Sequence, residues 1–278
     1  MRCQICTYAL GSGKVTTVLG CAEIYEAPNW SRDGAHLLVN GGGRLFRLPL
    51  DRARLEPVDT GALTQLNNDH GLSPDGRMLA ISDKTEHGQS AVYVLPAAGG
   101  TPRPVTPARP SYWHGWSPDG ATLAYVGRRD GCFDICTCPV AGGRETRLTS
   151  GFDHCDGPDY TPDGQWIWFN AERGGRVDLW RMHPDGSGLS QMTDDATVNW
   201  FPHPSPDGKH LLYLAFPPRT QGHPFGKEVT LRLMPAGGGP ARDLVGIFGG
   251  QGSINVPCWA PDSRAFAFVR YPRSDGGW

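Results

Sequence analysis

Four of the nine histidines, His70, His114, His154 and His203, fall within seven residues upstream of a recurring four-residue turn, one in each of four consecutive copies. Imidazole is a common ligand for divalent metals and the side chain best suited to moving protons near neutral pH. His70 and His114 stand three residues ahead of their turns, where other copies carry Pro28, Pro158, Pro202 and Pro257. Because these two break the chain's own pattern, they lead a candidate ligand set completed by His203 and Gln251, for manganese, calcium or zinc. Asp69, His154 and Asp156 in the same zone have the types needed for general acid–base work. Asn68, Trp113, Asn199, Trp200 and Asn255 supply hydrogen-bonding and stacking groups for a substrate. Several also have a structural reading. His203 and His154 can cap strand ends, Asp69 can fix the tautomer of His70, Asp156 can cap the bend at Gly157-Pro158, and Trp113 and Trp200 can pack between sheets.

The turn itself organises the chain. It appears as Ser31-Arg-Asp-Gly34, Ser73-Pro-Asp-Gly76, Ser117-Pro-Asp-Gly120, Thr161-Pro-Asp-Gly164, Ser205-Pro-Asp-Gly208 and Ala260-Pro-Asp-Ser263, at spacings of 42, 44, 44, 44 and 55 residues. Proline presets φ at the second position and glycine tolerates the positive φ that closes a hairpin. Each turn is followed by an apolar run such as Thr122–Val126, a polar loop, a second run such as Phe133–Val140, then a Gly-rich turn and a short segment ending near Leu-Thr. Four short strands at a period of 40–45 residues predict an all-β, six-bladed β-propeller with four antiparallel strands per blade.

The last turn is followed by only one strand, Ala265–Arg270, so the missing strands must come from the other end. Residues 3–19 align with residues 133–149, Ile5 over Ile135. Residues 1–19 are therefore expected to form the two outer strands of the closing blade and residues 254–272 its two inner strands, in one domain spanning 1–278. In such a blade the inner strand runs toward the hairpin turn. The zone ahead of each turn then lies at one mouth of the channel, on the face where the loops between second and third strands open. Those loops bring Arg173 and, from the longest of them at residues 216–228, His223, which favour an anionic or polyhydroxylated ligand beneath a lid.

Composition narrows the possibilities. With 26 Lys+Arg against 28 Asp+Glu, the formal net charge is −2, which argues against a broadly basic nucleic-acid binder. No window approaches 18 apolar residues, so no membrane span is expected. Eight cysteines include one C-x-x-C, Cys3-Gln-Ile-Cys6, without the second pair a zinc module needs. Reduced thiols packed in sheets, and a cytoplasmic location, are the expectation.

The Ser-Pro-Asp-Gly turns, with Trp30, Trp116 and Trp259 immediately ahead of three copies, resemble the TolB-type propeller repeat, and the resemblance runs the length of the chain. That superfamily includes a protein-interaction scaffold and a propeller oligogalacturonate lyase that uses a divalent metal. By likeness to the lyase, the expected function is a metal-assisted lyase acting on an acidic oligosaccharide. A cation on a uronate carboxylate would acidify the neighbouring C–H, and His154 or Asp156 would remove the proton. A metal-free glycoside hydrolase using Asp69 and Asp156 is the second enzymatic possibility. The alternative class is a non-catalytic scaffold that grips a peptide or protein partner at the same mouth.

Overall fold

The computed structural model describes residues 2–273; Met1 and residues 274–278 of the expected 1–278 domain lie outside the described residues. Five antiparallel sheets of four strands each follow one another along the chain, and a sixth sheet joins its two ends. Blade 1 holds Glu26–Trp30, His36–Gly41, Arg44–Pro49 and Glu56–Pro57, and blade 2 holds Leu66–Leu72, Met78–Asp83, Ala91–Pro96 and Arg103–Pro104. Blade 3 is Ser111–Trp116, Thr122–Arg129, Cys132–Pro139 and Thr146–Arg147; blade 4 is His154–Tyr160, Ile167–Arg173, Arg176–Met182 and Ser190–Gln191. Blade 5 is Val198–Pro204, His210–Phe216, Lys227–Pro235 and Arg242–Gly249.

The closing blade pairs Cys3–Ala9 with Ala265–Arg270, Ile5 facing Val269, and adds Lys14–Cys21 outside. Its innermost position is reduced to a single bridge between Trp259 and Phe266. Residues 254–272 thus contribute one full strand and one bridge where two inner strands were expected. The preceding chain, a 3-10 turn at Gln251–Ser253 and an irregular run, instead directs the carbonyls of Ile254, Asn255 and Pro257 at side chains in the channel.

Strands buried on both faces explain the continuous apolar runs of the sequence. In blade 3, Leu123 and Tyr125 pack with Ala80, Val92 and Val94 of blade 2, whereas Ala124 and Val126 pack with Ile167 and Phe169 of blade 4. Alternate residues of one strand therefore fill two different inter-blade cores. The cysteines follow the same logic: all eight are free, seven are buried, and Cys3 and Cys6 fall in different core clusters.

The turns are built as their residue types require. Ser73 donates to Asp75 Oδ1 at 2.6 Å, the same carboxylate oxygen accepts the Arg77 amide at 3.0 Å, and the Met78 amide donates back to Ser73 Oγ at 2.9 Å. Gly76 closes the turn at φ +71°. In the sixth copy Ser263 takes the glycine place at φ +60°, and its hydroxyl accepts the Asp207 amide of the neighbouring turn at 2.9 Å.

One feature of the inner strands was not visible in the repeat. All five complete inner strands slip register at nearly the same place, between Glu26 and Asn29, Leu66 and His70, Trp113 and Gly115, Asp156 and Asp159, and Trp200 and His203. Such bulges bend a strand and re-aim its side chains. Among the described residues no helix is long and apolar enough to cross a membrane.

Candidate functional site

Asp156 is the centre of the histidine-rich mouth. The bulge of blade 4 places Gly157 at φ +61°, and its amide donates to Asp156 Oδ1 at 2.8 Å. A Cβ at Gly157 would press on Asn170 and Phe201 at 3.0 and 3.1 Å, and φ +61° is a conformation that side-chain-bearing residues rarely adopt, so the position favours glycine. His114 from blade 3 brings Nε2 to 3.0 Å from Asp156 Oδ1. On the other oxygen, His154 Nε2 lies at 3.7 Å and His223 Nε2 at 3.5 Å. Three imidazoles from two adjacent inner strands and one loop therefore face one carboxylate. The loop after Phe216 folds over the mouth and seats His223 against Trp200 and Phe201, ring centroids 4.4 and 5.5 Å apart, while Phe133 stacks on His154 at 4.7 Å.

A second carboxylate adjoins the first. Asp69 Oδ1 accepts from Asn255 Nδ2 at 3.1 Å and lies 4.0 Å from His114 Nε2, and Asp69 Oδ2 accepts from Asn67 Nδ2 at 2.6 Å. Asn255 Nδ2 also reaches the Asn68 carbonyl, at 3.2 Å, and the Asn255 carbonyl faces His114 Nδ1 at 3.2 Å. A carbonyl only accepts, so His114 Nδ1 carries a proton. With Nε2 against a carboxylate, the arrangement is that of an imidazolium.

The electrostatics agree. Burial alone would depress His114, but the hydrogen bond and charge of Asp156, helped by Asp69, raise its pKa above the ordinary imidazole value. Burial likewise opposes ionisation of Asp156, yet the hydrogen bonds from His114 and His154 and the charges of His114 and His223 hold its carboxyl far below the usual range. Asp69 has the opposite fate: burial pushes it up to about 6, with His114 pulling down and Asp156 adding to the rise. His223 is lowered by burial, against the pull of Asp156. Two adjacent carboxyls are thus driven apart, one firmly ionised and one titrating near pH 6.

The residues proposed as metal ligands do not meet. His70 is fully buried, neither ring nitrogen makes a well-formed hydrogen bond, and burial lowers its pKa to about 4 against a smaller opposing pull from the backbone of Leu38 and Ala27. His203 is engaged on both sides, Nδ1 at 3.1 Å from Asp159 Oδ2 and Nε2 at 2.5 Å from the Ile254 carbonyl. His114 is likewise committed at both nitrogens, and no polar atom of Gln251, in the 3-10 turn, bonds any of the three. Among the described residues, no group of three or more His, Cys, Asp or Glu side chains is arranged to hold a metal ion. His70, His114, His203 and Gln251 therefore do not form one coordination site.

The expected substrate contacts also redistribute. Trp113 is 1% exposed and packs over Gly71, so it cannot stack on a ligand at this mouth. Trp200, equally buried, lies beneath His154 and His223 and supports them. Asn199 turns to Thr193, Asp195 and Thr197 between blades 4 and 5, and the Arg173 guanidinium lies over Phe152 and Trp180 at 4.3 and 5.1 Å. Asn68 and Asn255 do join the cluster, with His114, His154, Asp156, Asp69 and His223. The structure adds Asn67, which holds Asp69, and Phe133, which holds His154. Asn67 stands beside Asn68 in the sequence, but only the bulge that turns both it and Asp69 toward one another reveals the pair.

The model of the TolB β-propeller domain matches residues 113–222. An uncharacterized protein of Agrobacterium fabrum, Atu1656, is 49% identical over 272 residues, 98% of this chain and 93% of its own. A solved structure from Agrobacterium tumefaciens, provisionally assigned as TolB, shares 49% identity, covers 98% of both chains and superposes with a TM-score of 0.95. The chain belongs to the TolB-type β-propeller family. The Tol-Pal system protein TolB of Anaeromyxobacter dehalogenans is 31% identical over 87 residues, which is 31% of this chain but 20% of that protein. An oligogalacturonate lyase solved with manganese, 16% identical with a TM-score of 0.57 over 88% of this chain and 67% of its own, shares the fold alone. The lyase expectation is therefore corrected: whole-length kinship runs to TolB-type propellers carrying no enzymatic description, and the anticipated metal ligands are scattered.

Proposed function

We propose that this protein is a non-catalytic TolB-type propeller that holds a segment of a protein partner at the mouth formed by His114, His154, His223 and Asp156. The observation that carries the reading is kinship to a TolB-type propeller along 98% of the chain. The chemistry of the mouth supports it. A general base needs an accessible group with a pKa near the operating pH; Asp156 is held far below that by contacts on both of its oxygens, and Asp69, raised to about 6, is buried with its two oxygens bonded by Asn255 and Asn67. What the mouth offers instead is a preorganised rim: His154 and His223 are partly exposed, Phe133 is stacked on His154, and Arg128 lies 5.7 Å from the Phe133 ring. Aromatic and arginine side chains of this kind anchor protein interfaces. Enzyme names among distant propellers are attached to the fold, which serves many chemistries. Free, buried thiols fit a cytoplasmic setting for this binding.

The test is site-directed photo-crosslinking in cells with the intact chain. A crosslinker replacing Phe133 should give one discrete protein adduct, while the same group replacing the outward Leu189 of blade 4 should not. A His154→Ala/His223→Ala double variant that still melts cooperatively should lose the adduct. Equal adducts from positions 133 and 189, or turnover of uronate oligosaccharides by the purified protein, would overturn the reading.

A further inference from the structure

The other mouth of the channel is chemically unlike the first. His154 opens its strand and Tyr160 closes it, so the two ends lie roughly 20 Å apart at ~3.3 Å per residue. At the turn end the six residues immediately ahead of the turns, Trp30, Leu72, Trp116, Tyr160, Pro204 and Trp259, all line a hollow of about 280 Å³. The second turn residues form its lip: Pro74, Pro118, Pro162 and Pro206, with Arg32 in the corresponding place of blade 1. The repeat thus rings the hollow with aromatic and proline side chains, and Arg32, Asp159 and Asn29 put a guanidinium, a carboxylate and an amide into it.

Both the walls and the cation are preorganised. The indole N–H groups of Trp30, Trp116 and Trp259 are bonded to the carbonyls of Gly34, Gly71 and His203, at 3.1, 3.0 and 2.9 Å. Arg32 donates Nε to the Ser73 carbonyl at 3.1 Å and Nη2 to the Leu72 carbonyl at 3.0 Å, which pins it across the blade boundary and leaves Nη1 without a hydrogen bond in the protein. The hollow is blind. Asn255, in the segment entering the closing blade, donates to Asp69 of blade 2 at 3.1 Å and turns its carbonyl to His114 of blade 3 at 3.2 Å, so that segment lies across the channel below the hollow.

We propose that this hollow is a second binding site, for the C-terminal residue of a partner peptide, its free carboxylate on Arg32, its own amide N–H toward Asp159 and an apolar side chain against the tryptophan walls. A blind hollow of this size admits the end of a chain, whereas an internal segment would have to enter and leave by one mouth. Capture of a terminal carboxylate by fixed donors beside an apolar pocket is a general mode of peptide recognition. This site is independent of the histidine-rich mouth and of the function assigned to it.

The experiment follows intrinsic tryptophan fluorescence while N-acetyl tripeptides ending in Leu, Phe or Pro are titrated as free acids and as C-terminal amides. At least one free acid should saturate below about 1 mM and its amide should bind at least tenfold more weakly. Arg32→Pro restores the residue that five other turns carry at that place, so it should melt within a few degrees of the parent and lose at least tenfold in affinity; Arg32→Gln serves if it does not fold. No saturable binding by any free acid, equal binding of acid and amide, or undiminished binding by the Arg32 variant would overturn the proposal. So would equal binding of an amidated peptide carrying an internal Glu, which would assign the pocket to acidic side chains.

Discussion

His70 and His114 occupy the same place before their turns and have opposite environments. His114 gains Asp156 and the Asn255 carbonyl, whereas His70 is sealed with only the backbone of Leu38 and Ala27 near its ring nitrogens and no well-formed hydrogen bond to either. An unsatisfied buried polar group costs about 1–3 kcal/mol, and replacing it by an apolar group of similar shape removes that cost. His70→Leu should therefore leave the melting temperature unchanged or raise it; a fall of more than about 5 °C in calorimetry would show that the imidazole is bonded after all. His114→Ala should do the reverse, since it strips Asp156 of its closest partner and leaves a buried charge, a loss of about 3–5 kcal/mol. Asp69 makes a prediction in pH. Its carboxyl titrates at about 6 in the folded chain against 3.8 for the free group. The native state then binds more protons than the unfolded state between those values, so this group's contribution to stability falls as pH rises from about 4 to about 6, by about 3 kcal/mol in all. Urea melts across that window should rise more steeply with pH for Asp69→Asn than for the parent. Replacing the acceptor of Asn67 carries its own cost, but a constant one that leaves the slope untouched. Parallel curves would place the native Asp69 pKa near its ordinary value.

At the scale of elements, the turns were legible because their chemistry is local. Ser, Pro, Asp and Gly satisfy one another within six residues, and that sequence alone marks six hairpins at blade spacing. The side on which an inner-strand residue emerges was not legible, because a bulge displaces the count from the turn without leaving a residue type to mark it. Gly157 betrays one bulge, but the equivalent places in blades 1 and 5 are Ala27 at φ +58° and Phe201 at φ +55°. Counting from the turns consequently gathered His70, His114 and His203 onto one axis, where the strands send them to three surroundings. The large aromatics misled for a related reason: Trp113 and Trp200 stand in the right zone, and their size is used for core packing. A non-glycine residue at positive φ is strained by about 1–2 kcal/mol. Ala27→Gly, which removes only a methyl group, should stabilise the chain by roughly 0.5–1 kcal/mol, net of the greater freedom glycine gives the unfolded state. Chemical denaturation with an unchanged m-value would register the gain, and a loss of stability would mean that the Ala27 methyl is worth more in the blade 2 and 3 core, where it packs, than its backbone strain costs.

For the molecule as a whole, ring closure is what converts six similar sheets into two distinct mouths. Cys3–Ala9 lies between Ala265–Arg270 and Lys14–Cys21, with Tyr8 stacked on Phe266 at 5.0 Å and Arg270 Nε on Gln4 Oε1 at 2.8 Å. Ile5 and Cys6 go to opposite cores, Cys6 with blade 5 residues such as Leu231, and its neighbour Cys3 with blade 1 residues such as Leu37. The strand that closes the ring therefore also seals the interfaces of the closing blade with both neighbours. Without it, Ala265–Arg270 would present an unpaired edge carrying Phe266 and Phe268, both fully buried in the closed ring. An exposed apolar edge of that kind pairs with other chains. A chain lacking residues 2–21 should lose its cooperative melt and associate, in size-exclusion chromatography and native mass spectrometry, at concentrations where the full chain does not. Supplying residues 2–21 as a separate peptide should restore part of the transition, because the register against Ala265–Arg270 is specified by side chains on both faces. A truncated chain that melts cooperatively within a few degrees of the parent would show that the other five blades close the channel by themselves, and that the shared blade contributes little to holding either mouth in shape.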